Sequence, residues 1–463
     1  MSKKTIFFIS ALALLLFISG CSPKQAMLKT DSMIATGEYK KAAEFSNSQI
    51  DESDLYAKDN LLWYLQSGSS YLYENDNNNS IKAFDKSEIL MSYYRKQILA
   101  QDIAQTLKST LLNDTTRPYI GTEYDGVMAN TYKAIDYMEL GDMSSARVEF
   151  NRAIDRQQRA KIFYSKMIQK EKNAIKHKEE ESAKSGKNLN VDEKTIDSKL
   201  TAYYPSLHNF EPYPDFINPM TTYLAGVFAS ANGDISKAET LLKESFFMMK
   251  ENSDVKADFE GTREKQTVWL IFENGQAPLL GELRIDFPIW IFSNNLSFIS
   301  VALPKQIERK VAFSHLDIVL DANQTLSTKH LCSMDRVIKT EFTSSYSSTV
   351  QRAILSAATK AAISYTVNNS NNNSNAALLL KIATAAYTIA STQADTRTWS
   401  TLPKEFQLAR FTRPRDGKVA LYMPNRTLIE NIDLPDRDNI LIYVKIATPY
   451  AKASVKVIPF GGK

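Results

Sequence analysis

From Ala26 to Lys250 apolar residues recur three and four positions apart, and proline is nearly absent before Pro205. That period places one apolar stripe along a helix, so the pattern predicts helices throughout this half. A signature repeats within it. It reads Gly37-Glu38-Tyr39 with Ala42 and Phe45, then Gly141-Asp142-Met143 with Ala146, Phe150 and Ala153, then Gly233-Asp234-Ile235 with Ala238 and Leu241. Leu65, Gly68 and Tyr71, followed by Ile81 and Phe84, form a degenerate copy whose turn is Asn75 to Asn79. Glycine can end one helix in a left-handed residue, the acidic residue after it can cap the next, and alanine lets the two helices approach. The expectation is a series of helical hairpins.

Two stretches depart from this pattern. From about 165 to 200 the chain is dominated by Lys, Glu, Asp, Ser and Asn. It predicts an extension of the helix carrying Phe150 and Phe163, solvated and broken at Ser185-Gly186-Lys187-Asn188. Tyr203 to Pro219, rich in aromatics and proline, predicts an ordered extended segment packed on the helices.

After Asp258 the period changes to that of strands. Gln266 to Phe272 is the strongest, followed by the turn residues Glu273-Asn274-Gly275. Glu282 to Phe287, Phe298 to Ala302, Val311 to Asp321 and Leu326 to Thr328 are further strand or loop candidates. Two Ala- and Ile-rich helices follow, Asp335 to Thr366 and Asn375 to Ser391, joined by an asparagine linker. Phe406 to Phe411, Lys418 to Pro424, Asn439 to Thr448 and Ala453 to Pro459 close the chain as strands, with Arg415-Asp416-Gly417 as a hairpin turn between the first two. The fold class is therefore α+β. Residues 1–20 read as a signal, 21–255 as a helical domain with its charged insertion, and 256–463 as a β-rich domain interrupted by a helical pair at about 335–391.

The hairpin signature resembles the tetratricopeptide repeat, in which small residues sit where two helices touch. It departs from that family because the copies do not fall at the regular period of about 34 residues. A broader resemblance rests on three blocks: Asn130 through Ala153, Val268-Trp269-Leu270-Ile271-Phe272-Glu273-Asn274-Gly275-Gln276-Ala277-Pro278, and Ala394-Asp395-Thr396-Arg397-Thr398-Trp399 through Arg410. These look like a largely uncharacterised group of bacterial outer-membrane lipoproteins with a tetratricopeptide-like front half and a β-rich back half. The resemblance implies architecture and an envelope location. It implies no catalytic residue.

The first 21 residues have the form of a lipoprotein signal: Lys3 and Lys4, an apolar run from Ile6 to Phe17, then Ile18-Ser19-Gly20-Cys21. Cys21 is the expected acylation site, and the run is too short to span a bilayer, which takes roughly 20 apolar residues. Ser22 and Pro23 after the cysteine resemble the sorting pattern of lipoproteins passed to the outer membrane. The expected location is that membrane, facing the periplasm, held by acyl chains.

Charge adds little to this picture. Lys and Arg total 56 against 52 Asp and Glu, so the chain carries no footprint for nucleic acid. Cys332 is the only other cysteine, so an internal disulfide is excluded once Cys21 is acylated, and a small buried hydrophobe is expected at 332. The four histidines, His177, His208, His315 and His330, show no metal-ligand spacing, and no phosphate loop or nucleophile elbow is visible. No cofactor is expected. Asp395, Arg397 and Trp399 are the most site-like residues: a Trp to stack on a sugar and an Arg to pair with a carboxylate, or a buried ion pair beside a core Trp. Two functions stay open. One is a non-catalytic scaffold whose hairpins bind an envelope protein; the other is a glycan-binding module or hydrolase in the β-rich half. Nothing in the sequence fixes an oligomeric state.

Overall fold

A computed structural model describes residues 23–101, 117–184, 193–207, 210–261, 266–292, 295–321, 324–368 and 393–461. Cys21, His208, the break expected at 185–188 and the second helix expected at 375–391 lie outside these residues.

The N-terminal half is helical. Its elements are α1 (Pro23–Thr36), α2 (Tyr39–Ser48), α3 (Asn60–Tyr73), α4 (Asn77–Ala100), α5 (Glu123–Glu139), α6 (Met143–Lys184), α7 (Glu193–Tyr203), α8 (Pro219–Ala231), α9 (Ile235–Met248) and α10 (Ser253–Phe259). Four hairpins, α1–α2, α3–α4, α5–α6 and α8–α9, share one turn. Gly37, Asn75, Gly141 and Gly233 all have φ between 67° and 81°. Each N–H bonds back to Ile34, Leu72, Met138 or Ser230, and the next N–H reaches Met33, Tyr71, Tyr137 or Ala229. These paired bonds satisfy the last carbonyls of the first helix. Asp76, Asp142 and Asp234 then accept side-chain bonds from the backbone three residues on, capping the second helix. Four positions after the acidic residue stand Ala42, Ser80, Ala146 and Ala238, all buried. The degenerate copy therefore keeps the geometry: asparagine takes the left-handed residue and serine the close contact. The copies fall at positions 37, 75, 141 and 233.

The C-terminal half begins with β1 (Thr267–Asn274), β2 (Leu279–Phe292), β3 (Asn295–Ile307), β4 (Asp317–Val319), β5 (Thr325–Ser327) and β6 (Lys329–Ser333). It continues with the long helix α11 (Met334–Asn368), then β7 (Glu405–Thr412), β8 (Lys418–Tyr422), β9 (Leu428–Asp433), β10 (Asn439–Ile446) and β11 (Ser454–Pro459). The central sheet runs β11-β10-β1-β7-β6, with β1 and β10 parallel and the other neighbours antiparallel. Every residue of β1 is buried, the apolar run Val268–Phe272 together with the polar Thr267, Glu273 and Asn274. A second sheet runs β5-β4-β8-β9, and β2 with β3 forms a long separate hairpin.

Three local expectations change. Arg415-Asp416-Gly417 is a turn, with Gly417 at φ 70°, but β7 and β8 belong to different sheets and do not pair. β6 and β9 are strands that the alternation did not reveal, because their apolar positions are too few to show a period. The charged stretch is not simply solvated. Helix α6 spans 42 residues, roughly 60 Å. Its far half buries Ala174 and Ile175, and its Lys170 ammonium donates to the carbonyls of Ile98, Leu99 and Gln101.

One apolar core runs from α1 through the helical hairpins into the central sheet and on to β4, β8 and β9. A second, smaller core joins α6, α7, the β2–β3 hairpin and α11 through Ile175, Leu200, Tyr204, Phe287, Val301, Tyr346 and Ile354. The aromatic faces of the helical hairpins are covered by the chain's own C-terminal half. Tyr39 donates to the carbonyl of Lys452, and Ser454 donates to that of Tyr73.

Candidate functional site

Asp395, Arg397 and Trp399 lie on the connector between α11 and β7. The Arg397 guanidinium donates to Asp395 (2.6 and 2.9 Å) and to Asp59 at the start of α3 (2.8 Å). Burial pulls its pKa down, but the two carboxylates more than offset this and the net shift is upward. Trp399 is fully buried against Phe84 and Tyr132, and its indole N–H is shared between Ser69 (3.1 Å) and Thr401 (2.8 Å). Gln66 on the same face of α3 donates to the carbonyl of Thr398 and to Ser400. The indole therefore presents no face to a sugar. It pins the connector to α3, while Asp395 and Arg397 remain at the edge of a cavity.

That cavity, of about 280 Å³, is half open and lies where α4, α6, α11 and the base of the β2–β3 hairpin meet. Five arginines line it: Arg95 from α4, Arg117 from the segment before α5, Arg156 from α6, Arg352 from α11, and Arg397. The carboxylates on its wall are Glu123, Glu171 and Asp395, each paired. Arg95 bonds Glu123, Arg352 reaches Glu171 at 2.9 Å, and Arg397 holds Asp395. Arg156 donates to Asn130 (2.8 Å) and approaches Glu88 (3.4 Å). Its room comes from Gly126 on α5, where an added Cβ would fall 2.8 Å from Arg156 Nη1. Burial pushes the Arg156 guanidinium below its ordinary pKa; Glu88 and Glu123 oppose that shift, and the like charge of Arg95 adds to it. Between the guanidiniums the wall is apolar, built from Ile98, Phe163, Met167, Leu280, Pro304 and Phe342.

Behind this wall sits an acidic cluster at the start of α5. Thr122 and Asp125 form a reciprocal cap, and Asp125 also accepts from the Tyr119 hydroxyl (2.7 Å). Burial raises the Asp125 carboxyl to about 6, against the hydrogen bonds from Tyr119 and Thr122. Glu341, reaching over from α11, accepts from the N–H groups of Glu123 (2.8 Å) and Tyr124 (3.0 Å).

Other clusters lack the setting for chemistry. Glu273 and Lys445 face each other across β1 and β10 with their side chains essentially inaccessible. Tyr443 donates to Glu273, and Lys445 donates to the carbonyl of Gly275 (2.9 Å). Burial lowers the Lys445 ammonium to about 8, yet water cannot reach it. Ser314, His315 and Asp317 are in contact, with Ser314 Oγ 3.0 Å from His315 Nδ1 and His315 Nε2 3.4 Å from Asp317. They lie within four residues of one another around the buried Leu316 and do not line the cavity described above. His177 pairs with Glu181 and His330 with Glu405, both half exposed. Cys332 is buried, as expected, and burial pushes its thiol up to about 12. Among the described residues no group of His, Cys, Asp and Glu is placed to hold a metal, and no helix is long and apolar enough to cross a membrane.

Sequence reasoning found Asp395 and Arg397 but not the other cavity residues. Arg95, Arg117, Arg156 and Arg352 come from four separate segments, and each reads as an ordinary polar position on its own element. No protein-family model matches the chain, and no curated protein matches it.

Proposed function

We propose that this chain is a non-catalytic binding lipoprotein of the cell envelope, anchored in the outer membrane through acylated Cys21 and facing the periplasm. It holds an envelope protein partner there. The supporting observation is the arginine-lined cavity. Its three wall carboxylates are all committed to guanidiniums, so none stands as a free acid or base, whereas guanidinium forks and apolar walls suit recognition. The expected role of the helical hairpins shifts accordingly. Their aromatic faces hold the β-rich half, and the partner is met at the seam between the two halves.

Two experiments test this reading. Wild-type protein should fractionate with membranes and carry an acyl label, and Cys21→Ala should lose both. A Cys21→Ala protein that stays membrane-bound without label would remove the anchor from the proposal. Crosslinking in intact cells followed by mass spectrometry should recover an envelope protein; recovery of none would remove the partner.

A further inference from the structure

We propose that the far end of the β2–β3 hairpin dips into the membrane surface and meets lipid through the face that carries Pro288, Trp290, Leu296 and Phe298. The inference rests on the anchored reading above, which puts a membrane beside the chain, and adds which part of the body touches it. Three observations carry it.

First, the anchor leaves the body little freedom to move away. Only Ser22 separates Cys21 from the start of α1 at Pro23, roughly 7 Å of chain at full stretch. Ala26 and Met27, one turn into α1, already belong to the larger core. The start of α1 is therefore held at the headgroups.

Second, the hairpin projects from that same end. The pairs α1–α2, α3–α4 and α5–α6 each reverse at a tight turn, so α1, α3 and α5 all start at the end away from the turns. Helix α6 runs back to that end, where Arg156 meets Gly126 and Asn130 of α5. It then continues to Lys184, roughly 40 Å farther. The ribbon follows this projecting half. Leu280 and Pro304 at its base line the cavity beside Gly121, and Phe287, farther out, shares the smaller core with Ile175 of α6.

Third, the polarity of one ribbon face inverts along its length. Ile285, Phe287, Ile299 and Val301 lie on the face buried against α6 and α11. The opposite face carries Glu282, Arg284, Asp286 and Ser300 at its base, all exposed. Strand alternation and the register continue that face through Pro288 opposite Phe298 and Trp290 opposite Leu296. The 18 residues from Phe287 to Pro304 hold no charge, in a chain that is 23% charged. Pro288 to Phe292 spans roughly 13 Å, longer than a headgroup layer of roughly 6 Å. Tryptophan and phenylalanine suit that boundary. A two-stranded ribbon has unpaired edges, so it can dip into the boundary but not cross the hydrocarbon.

The test is tryptophan quenching in the purified full chain, reconstituted into phosphatidylethanolamine–phosphatidylglycerol vesicles with plain or brominated acyl chains. Trp63, Trp269 and Trp399 are buried in the larger core, which leaves Trp290 to meet a quencher in the lipid. Brominated chains should lower the emission by up to about a quarter, the share of one tryptophan in four. Trp290→Phe should abolish that loss. Leu296→Asp with Phe298→Asp keeps all four tryptophans, puts charge on the same face, and should abolish it too. Equal emission from the two kinds of vesicle would overturn the proposal, as would quenching that survives in Trp290→Phe. Emission shielded from aqueous iodide yet untouched by bromine would give the face to protein and overturn it as well. Vesicle flotation and the acyl label read the anchor separately. A chain that floats without being quenched fails here and leaves the anchor standing; a chain without label that is still quenched does the reverse.

Discussion

Glu341 accepts a 2.8 Å hydrogen bond from the backbone N–H of Glu123, 218 residues earlier in the chain. Its second oxygen takes the N–H of Tyr124. The helix inserted into the β-rich half thus caps a helix of the N-terminal half, and does so directly behind the arginine-lined wall. Helix N-termini carry unsatisfied donors and a partial positive charge, so a buried carboxyl is a suitable partner. Burial pushes the Glu341 carboxyl well above the usual carboxylate range and the nearby Glu123 adds to this, while the two N–H bonds work against it.

Replacing Glu341 with alanine should leave two buried helix donors without an acceptor. The expected loss is about 2 kcal/mol in urea unfolding. Glu341→Gln keeps one carbonyl acceptor and should lose about half as much. If Glu341→Ala unfolds at the same urea concentration as the wild type, the two halves are not joined through this cap.

The acidic cluster predicts a pH dependence with a definite sign. Asp125 is raised to about 6 in the fold, whereas the unfolded residue titrates near about 3.9. Between those values the folded state holds more protons, so stability falls as pH rises from about 4 to about 6. Asp125→Asn keeps an oxygen for the Tyr119 hydroxyl and the Thr122 N–H and should flatten this slope. The check is the melting temperature of both proteins across that pH range. Parallel curves would show that Asp125 does not carry the dependence.

Trp399 is the pin between the connector and α3. Trp399→Ala empties a fully buried site and should cost about 3–5 kcal/mol. Trp399→Phe removes only the shared N–H and part of the volume. Because Ser69 and Thr401 already lie 2.6 Å apart, they can bond each other, and about 1–2 kcal/mol is expected. A Trp399→Ala protein with wild-type melting would mean the indole is not in the core.

Gly68 lets α3 and α4 close on each other. A Cβ there would sit 2.8 Å from the Phe84 ring, inside any normal contact. Gly68→Ala gains about 1 kcal/mol of helix propensity but overpacks a filled site, at about 1–3 kcal/mol. A net loss is expected, and Gly68→Ala with Phe84→Leu should recover part of it. Additive effects in that double-mutant cycle would show that the two residues do not touch.

The hairpin turns were legible because they are local. A left-handed residue, a cap and a small residue one turn later all fall within about six positions, so Gly37, Gly141 and Gly233 announced themselves and Asn75 followed by analogy. Strands β1, β7 and β10 were legible for the same reason, each carrying a dense apolar run. Which strands lie beside them was not. The parallel pairing of Val268 with Ile440 joins segments far apart in sequence, and no periodicity encodes which strand lies beside which.

For the site, the Asp395–Arg397–Trp399 block drew attention through its residue types, and its second reading, an ion pair beside a core Trp, is the arrangement found. The unexpected part was the partner, since the block locks onto Asp59, Gln66 and Ser69 of the helical half.

What the sequence determined by itself is the inventory: where helices start and stop, where the period changes from helix to strand, and which residues are too apolar to stay in water. These depend on contacts within a turn or two of the chain. What the tertiary structure alone decided is convergence. Arg95, Arg117, Arg156, Arg352 and Arg397 become neighbours only when two packed cores bring their elements together, because side chains on separate elements meet through the shape of what they bury and not through their spacing.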